Sequence, residues 1–202
     1  KNKSSKTWLQ NQKRDIFFIK SKMSGYRSRS AYKLIEIIKK FSLLNVKDNV
    51  LDLGSSPGGW SQVLAEKIIN GKVISVDLKP MEKIRNNIFI QGDFTDSRCQ
   101  NKILSFVNGG IHGVFSDMAN NTTGNKSLDS FRTGSLCLES MNFAAKILNK
   151  NGCFVSKFFM GEIFLEIKTE ANKLFDEFHI FKPDSSKSYS KESYIICKKL
   201  IN

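Results

Sequence analysis

The sequence lacks the features that mark several large classes of protein. No stretch approaches the roughly 18 uninterrupted apolar residues of a membrane-spanning helix, and only 3 of the 202 residues are proline. None of the 4 cysteines forms a Cys-x-x-Cys pair, and neither of the 2 histidines has a potential metal ligand nearby. These absences exclude an integral membrane protein, a disordered chain and a disulfide scaffold. We expect no metal site and no membrane partner, and the unpaired cysteines favour a reducing intracellular compartment.

Positive charge is abundant and concentrated at one end of the chain. The net charge is +13, and residues 1–40 carry 12 Lys or Arg against 2 acidic residues. A basic arm on a nearly neutral body favours a polyanion ligand, because each cation placed at a phosphate releases condensed counterions. We therefore predict a basic arm over residues 1–28 and one folded domain over residues 29–202. The alternative is a solvated tail that serves solubility alone.

Apolar periodicity indicates strands that alternate with helices. Strand-like runs are Val50–Leu53, Val73–Leu78, Ile88–Ile90, Gly113–Phe115, Cys153–Phe159, Phe178–Phe181 and Tyr194–Cys197. Helical spacing occurs over 28–41, 59–69, 131–148 and 163–175. This alternation predicts an α/β fold with a mostly parallel sheet and helices on both faces. No helix separates the last two strands, so we expect them to pair as a hairpin that adds one antiparallel strand.

A strand, a glycine-rich turn and the start of a helix follow one another over residues 51–60. Glycine lets a ligand approach the backbone closely, and a helix N-terminus is electropositive. The spacing differs from the G-x-G-x-x-G of dinucleotide binders, so NAD is disfavoured. The candidate cofactor contacts in this turn are Gly54, Ser55, Pro57, Gly58, Gly59 and Trp60.

Carboxylates end the next two strands. Asp77, followed by Leu78, can accept hydrogen bonds from two ribose hydroxyls, and Asp93, followed by Phe94, can accept one from an adenine amine. A glycine turn and two such carboxylates on successive strands predict a nucleoside cofactor without a pyrophosphate, such as S-adenosylmethionine (SAM).

Four charged residues are candidates for catalysis. Lys157 lies within an apolar strand, where burial of an ammonium costs free energy unless the group is used. The alternative is a lysine that reaches solvent from an edge strand. Asp117 ends the fourth strand, at the edge where ligands bind in open α/β sheets. Lys33 and Glu192 complete the set, although either one alone is better explained as a surface charge.

Six segments together resemble the FtsJ/RrmJ family of ribosomal RNA ribose 2′-O-methyltransferases, nearly end to end. They are Trp8-Leu9-Gln10, Tyr26–Leu34, Asp52–Gln62, Gln91–Phe94, Ser116–Ala119 and Lys182–Ser186. The resemblance implies a single-domain, Rossmann-like SAM-dependent methyltransferase fold with seven strands. It implies SAM contacts at Gly58, Trp60, Asp77, Asp93 and Asp117, and a reaction site at Lys33, Asp117, Lys157 and Glu192. The family usually has proline where this chain has Asn120, so the conformation of residues 120–129 is not implied.

The implied reaction is an in-line attack of a ribose 2′-hydroxyl on the methyl group of SAM. Lys157 either takes the hydroxyl proton or stabilises the alkoxide as a cation, and the sequence leaves both roles open. Candidate RNA phosphate contacts are Lys13, Arg14, Lys20, Lys22, Arg27 and Arg29. We expect the substrate to be ribosomal RNA or the large ribosomal subunit, with a uridine in the peptidyl-transferase region as target, and the enzyme to be a monomer.

Two other functions stay open at this point. One is a transfer-RNA ribose 2′-O-methyltransferase of the same family, and the other is a ribosome-assembly factor that binds RNA without catalysis. The presence of all four polar residues favours an enzyme. A messenger-RNA cap methyltransferase is disfavoured because 202 residues leave little room for cap-binding structure. The chain begins at Lys1, so we expect earlier residues to have been removed, and both a mitochondrion and a bacterial-type cytoplasm remain possible compartments.

Overall fold

The computed structural model describes residues 15–107, 110–119 and 122–201. The helices in these ranges are α1 (Ile16–Met23), α2 (Ala31–Phe41), α3 (Gly59–Lys67), α4 (Ser97–Ser105), α5 (Lys126–Ile147) and α6 (Phe164–Leu174). The strands are β1 (Asn49–Leu53), β2 (Lys72–Asp77), β3 (Asn87–Gln91), β4 (Ile111–Ser116), β5 (Leu148–Phe159), β6 (Phe175–Phe181) and β7 (Glu192–Leu200). Every predicted strand is present, with its ends displaced by a few residues.

The strands form one sheet in the order β3-β2-β1-β4-β5-β7-β6. Strands β1 to β5 pair in parallel, and β7 is antiparallel to both β5 and β6. The predicted α/β fold with one antiparallel strand and a β6–β7 pair is confirmed. Because β7 inserts between β5 and β6, β5 is an interior strand, and the edge-strand explanation for Lys157 is wrong.

Helices cover both faces of the sheet, as predicted. Side chains alternate along each strand, so Leu51 and Leu53 face one layer while Val50 faces the other. The first layer joins β1 to α4, α5 and α6 in one buried apolar cluster. The second joins it to α2 and α3. The core therefore holds the carboxyl ends of the central strands in place from both sides.

Two helices were not predicted from the sequence. Helix α1 begins after Asp15 and α4 begins after Asp96, and each aspartate accepts hydrogen bonds from backbone N–H groups of the first turn. Among the described residues, α4 buries only Cys99 and Ile103, and α1 buries only Ser21. Such short helices carry too few apolar positions for a periodic signal. The division at residue 28 into arm and domain stays a prediction.

No described helix combines the length and apolar character needed to cross a bilayer. No group of three or more potential metal ligands occurs in the described ranges.

Candidate active site

The carboxyl ends of β1, β2, β3 and β4 border one cleft of about 520 Å³. Parallel strands present their carboxyl ends at the same edge of a sheet, and this edge is where open α/β folds bind ligands. Six predicted residues line the cleft: Gly54, Asp77, Leu78, Asp93, Phe94 and Asp117. Five others lie in the adjoining turn or at the start of α3 and are not among the lining residues of the cleft: Ser55, Pro57, Gly58, Gly59 and Trp60. Direct cofactor contact by any of these residues stays a prediction.

The turn after β1 depends on glycine at two positions. Gly54 has φ +74° and Gly58 has φ +114°, a region that residues with a Cβ rarely adopt. A Cβ on Gly54 would lie 2.3 Å from Cγ of Met118, and one on Gly58 would lie 2.9 Å from Nη1 of Arg27. Glycine therefore lets the backbone pass along the cleft and then enter α3.

Backbone groups orient the two carboxylates at the cleft. Asp77 accepts hydrogen bonds from the N–H groups of Ser56 at 2.9 Å and Lys79 at 2.8 Å. Asp93 accepts from the N–H and the hydroxyl of Thr95 at 2.9 Å and 2.8 Å. Both acceptors are held in place by adjacent turns of the chain, so a ligand need not order them.

Trp60 lies behind the turn rather than in the cleft. Its ring is buried and 5.8 Å from the ring of Tyr194, and its Nε1–H donates to the Ser30 carbonyl at 2.9 Å. These contacts join α3 to β7 and to the start of α2. The structure thus gives Trp60 a packing role, and its predicted contact with SAM has no direct geometric support here.

The four charged candidates form two ion pairs. Nζ of Lys157 donates to Oδ1 of Asp117 at 2.9 Å and to the backbone carbonyl of Asp117 at 2.5 Å. Nζ of Lys33 donates to the two carboxylate oxygens of Glu192 at 2.7 Å and 2.8 Å. All four side chains are largely buried.

Tyr194 connects the two pairs, and the sequence did not single it out. It lies opposite Lys157 in the β5–β7 register, and its hydroxyl donates to Oδ1 of Asp117 at 2.8 Å. Nζ of Lys33 lies 6.0 Å from the centre of its ring. The sequence did contain a signal for Tyr194. It follows Glu192 by two residues, and a strand places residues with this spacing on one face. The ion pairs therefore converge on one tyrosine beside the cleft.

The charges of the site favour an ionised Asp117. Burial alone raises the pKa of Asp117, but the charges of Lys157 and Lys33 and the hydrogen bonds from Lys157 and Tyr194 outweigh it, leaving the pKa below its ordinary value. Burial, followed by the charges of Asp117 and Glu192, raises the pKa of Tyr194 well above its ordinary value. Tyr194 therefore stays a hydrogen-bond donor to a carboxylate at neutral pH.

A buried carboxyl group lies beneath the glycine turn. Asp52 is 1% exposed, its Oδ2 accepts from the Ser61 hydroxyl at 2.6 Å, and its Oδ1 has no hydrogen-bond partner among the described residues. Burial raises the pKa of Asp52 to about 7; the Ser61 hydrogen bond opposes this rise, and the charges of Asp117 and Asp77 add to it. The sequence signal for Asp52 was a charged residue inside the apolar run Val50–Leu53, which is the same kind of pattern that indicated Lys157.

Lysines of α1 are available to a polyanion. Lys20 and Lys22 are exposed, with their Nζ atoms 5.5 Å and 5.6 Å from the ring centres of Phe17 and Phe18. Their contact with RNA phosphate stays a prediction. Lys13 and Arg14, like the Trp8-Leu9-Gln10 segment, lie outside the described residues.

The two predicted arginines are engaged within the protein. Arg27 donates to the carbonyls of Glu82 at 2.8 Å and Lys83 at 3.0 Å. Arg29 pairs with Asp15 and also donates to the Ser185 carbonyl. These contacts engage both guanidinium groups within the protein, and contact of Arg27 and Arg29 with RNA phosphate stays a prediction.

The cleft fits a nucleoside with a positively charged methyl-bearing group. Asp77 and Asp93 are acceptors suited to ribose hydroxyls and an adenine amine, and Leu78 and Phe94 add apolar wall beside them. A side chain at Gly54 would close the cleft against Met118. The Asp117 carboxylate offers favourable charge to a nearby sulfonium.

Comparisons with known proteins agree with this geometry. A family model described as FtsJ-like methyltransferase matches residues 26–200. A Pelagibacter ubique protein named ribosomal RNA large subunit methyltransferase E is 51% identical over 198 residues, covering 98% of this chain and 98% of that protein. A Hahella chejuensis protein of the same name is 42% identical over 200 residues, covering 98% of this chain and 97% of that protein.

Solved structures give the same result for the fold. A Plasmodium falciparum protein assigned as a ribosomal RNA methyltransferase has a TM-score of 0.78 and 32% identity, covering 88% of this chain and 100% of that chain. Human methyltransferase-like protein 13, solved in complex with SAH, has a TM-score of 0.55 and covers 76% of this chain and 72% of that chain. At 10% identity, this second likeness concerns the fold alone.

Proposed function

The chain belongs to the FtsJ-like methyltransferase family, and from this membership we propose that it methylates the 2′-hydroxyl of a ribose in large-subunit ribosomal RNA. It is a SAM-dependent RNA methyltransferase. The 2′-O assignment is supported by one observation: the two ion pairs meet at Tyr194, next to a cleft suited to SAM. The ribosomal assignment is supported by the names of the relatives, which match over nearly the whole chain.

SAM would be held by the cleft at the ends of β1, β2 and β3. When bound, it supplies a methyl group already activated by a sulfonium. Asp77 and Asp93 would hold the nucleoside, and the turn at Gly54 leaves room beside them. The remaining tasks of the protein are to align the ribose hydroxyl and to remove one proton.

Lys157 would take that proton, after its ammonium has released one proton to solvent. The neutral amine keeps two N–H groups, which can stay directed at the two Asp117 oxygens that Nζ contacts. The third position of Nζ then carries the lone pair, which accepts the proton of the 2′-hydroxyl. The resulting ammonium stays paired with the carboxylate of Asp117, so this charge stabilises the protonated product. Asp117 thus positions Lys157 and favours the direction of proton transfer.

Lys33 and Glu192 would position the acceptor nucleotide. Glu192 holds Nζ of Lys33 with both carboxylate oxygens, and the ring of Tyr194 lies beneath the ammonium. A lysine held in this way presents its remaining N–H to a ribose or phosphate oxygen. Within the set, Glu192 acts through Lys33 and is a positioning residue.

The target nucleotide is the most specific feature of the proposed substrate. A uridine in the peptidyl-transferase region is supported by the family resemblance of the motifs, and the relatives' names support the large subunit. Exposed Lys20 and Lys22 would contribute phosphate contacts that position the RNA without reading its sequence.

Transfer of radiolabelled methyl groups from SAM tests the proposal. Isolated large ribosomal subunits, free ribosomal RNA and bulk transfer RNA are offered in parallel, and nuclease digestion identifies the labelled nucleoside. We expect label in the large subunit or its RNA, recovered as 2′-O-methyluridine. Label confined to transfer RNA would reassign the substrate, and label on a base would refute 2′-O transfer. Binding of RNA and SAM without transfer would support an assembly factor instead.

A further inference from the structure

The loop that connects β6 and β7 presents an aromatic ring to solvent. Tyr189 is 80% exposed, and Nζ of Lys187 lies 5.7 Å from the centre of its ring. Several rings of the fold pack in pairs, such as Trp60 with Tyr194 and Phe158 with Phe164. Tyr189 instead offers an aromatic face next to a cation.

Hydrogen bonds hold this loop in a defined shape. Nζ of Lys182 donates to the carbonyls of Ser188 at 3.2 Å and Ser190 at 2.6 Å, and the N–H of Ser190 donates to the Lys187 carbonyl at 3.0 Å. Two backbone N–H groups near the start of the loop donate to the carboxylate of Glu36 at 2.7 Å and 3.0 Å. A loop ordered in advance lowers the entropic cost of binding through its tip.

The same loop ends at the reaction site. Tyr189 precedes Glu192 by three residues, a span of at most about 10 Å along the chain, and Glu192 holds Lys33. The carbonyl of Lys191 accepts from the N–H of Met160 at 3.0 Å, which ties the loop to the end of β5, three residues after Lys157. Tyr189 therefore lies in the part of the loop that leads directly into Glu192, within about 10 Å of it along the chain.

We propose that Tyr189 stacks on a base of the RNA strand next to the methylated nucleotide, with Lys187 at a neighbouring phosphate. This inference rests on the proposed function, because it deepens the recognition of the same RNA substrate. A ring with a cation on one face can receive a base on the other, and such stacking contributes about 1–3 kcal/mol per base. Stacking requires an unpaired base, so the enzyme engages its target in a single-stranded or opened segment.

Steady-state kinetics with large-subunit ribosomal RNA test the stacking. Tyr189→Ala is expected to raise KM for the RNA by about 5- to 100-fold, which is the range of stacking energies, and to leave kcat within about twofold. Tyr189→Phe and Tyr189→Trp keep a ring and are expected to keep KM. Ile69→Ala is the matched control, because Ile69 is 68% exposed and precedes β2, which lies in the other half of the sheet from β6 and β7. An unchanged KM in Tyr189→Ala, or an equal loss in Tyr189→Phe, would overturn the proposal.

A second measurement separates this inference from the proposed function. A short single-stranded RNA that carries 2-aminopurine is titrated with each variant, because stacking on a ring quenches the fluorescence of this base. We expect quenching with the wild-type protein and with Tyr189→Phe, and little with Tyr189→Ala. Equal quenching by all three would overturn the stacking. If the wild-type protein transfers no methyl group to ribosomal RNA, the proposed function fails, and this titration still decides whether Tyr189 binds a base.

Discussion

Replacement of Asp52 by asparagine is expected to remove one contribution to the pH dependence of the free energy of unfolding, measured in the protein without SAM. Asp52 is 1% exposed, and burial raises its pKa from 3.8 to about 7. Each pKa unit corresponds to about 1.36 kcal/mol, so ionising this group in the folded state costs about 4 kcal/mol of stability in total. Asparagine has nearly the same shape, can accept the hydrogen bond of Ser61, and does not ionise.

The direction of the effect follows from proton counting. Between pH 4 and about 7 the folded state holds a proton on Asp52 that the unfolded state has lost, so stability falls as pH rises through this range. The stabilising contribution is complete below the unfolded pKa and is lost once pH passes the folded pKa. Between pH 5 and pH 8 the wild-type protein should therefore lose roughly 2–3 kcal/mol more than Asp52→Asn.

Urea denaturation of both proteins at a series of pH values measures this difference. Any constant cost of the asparagine amide in the buried site shifts the variant equally at every pH and cancels in the comparison. The slope m should match between the proteins, which shows that the same surface is exposed on unfolding. Parallel stability curves for wild type and variant from pH 5 to pH 8 would refute a buried, protonated Asp52.

Three further changes test the site. Lys157→Met should still bind SAM while transfer falls by about 10²- to 10⁴-fold, because the proton acceptor is gone, and near-normal turnover would refute this role of Lys157. Tyr194→Phe removes a hydrogen bond to a carboxylate and should lower the free energy of unfolding by about 1.5–3 kcal/mol. Tyr189→Phe makes the same change on an exposed ring, so equal losses in urea denaturation would contradict the role of Tyr194. Asp77→Asn should raise the Kd for SAM by about 10- to 100-fold in calorimetry, whereas a similar rise in Asp176→Asn, on the exposed side of β6, would show an unspecific charge effect.

Local patterns predicted the fold and one side of the site. Apolar runs of strand length, helical spacing and a glycine turn depend on residues close together in the chain, and each was readable before any coordinates. The carboxylates Asp77 and Asp93 were found at strand ends, and they line the cleft. The four residues of the reaction site were indicated as a set by the family resemblance, and their spacing in the sequence alone did not indicate it.

The features that were not predicted have different causes. Helices α1 and α4 escaped prediction because each buries too little apolar surface to leave a periodic signal. The contacts of Arg27 and Arg29 within the protein were not predicted because their partners are mostly backbone carbonyls, which carry no sequence signature. Tyr194 was not singled out because, in the sequence, it resembles the other apolar residues of β7.

The sequence by itself determined the element order, the parallel character of the sheet and the type of cofactor, because these follow from short-range periodicity and turn chemistry. Tertiary structure alone decided which charges meet. Lys157 and Asp117 are 40 residues apart, and Lys33 and Glu192 are 159 apart. The first contact exists because β4 pairs with β5, and β7 inserts beside β5 to bring Glu192 and Tyr194 to the same place. Strand order is set by how the whole core packs, and no local stretch of the chain encodes it.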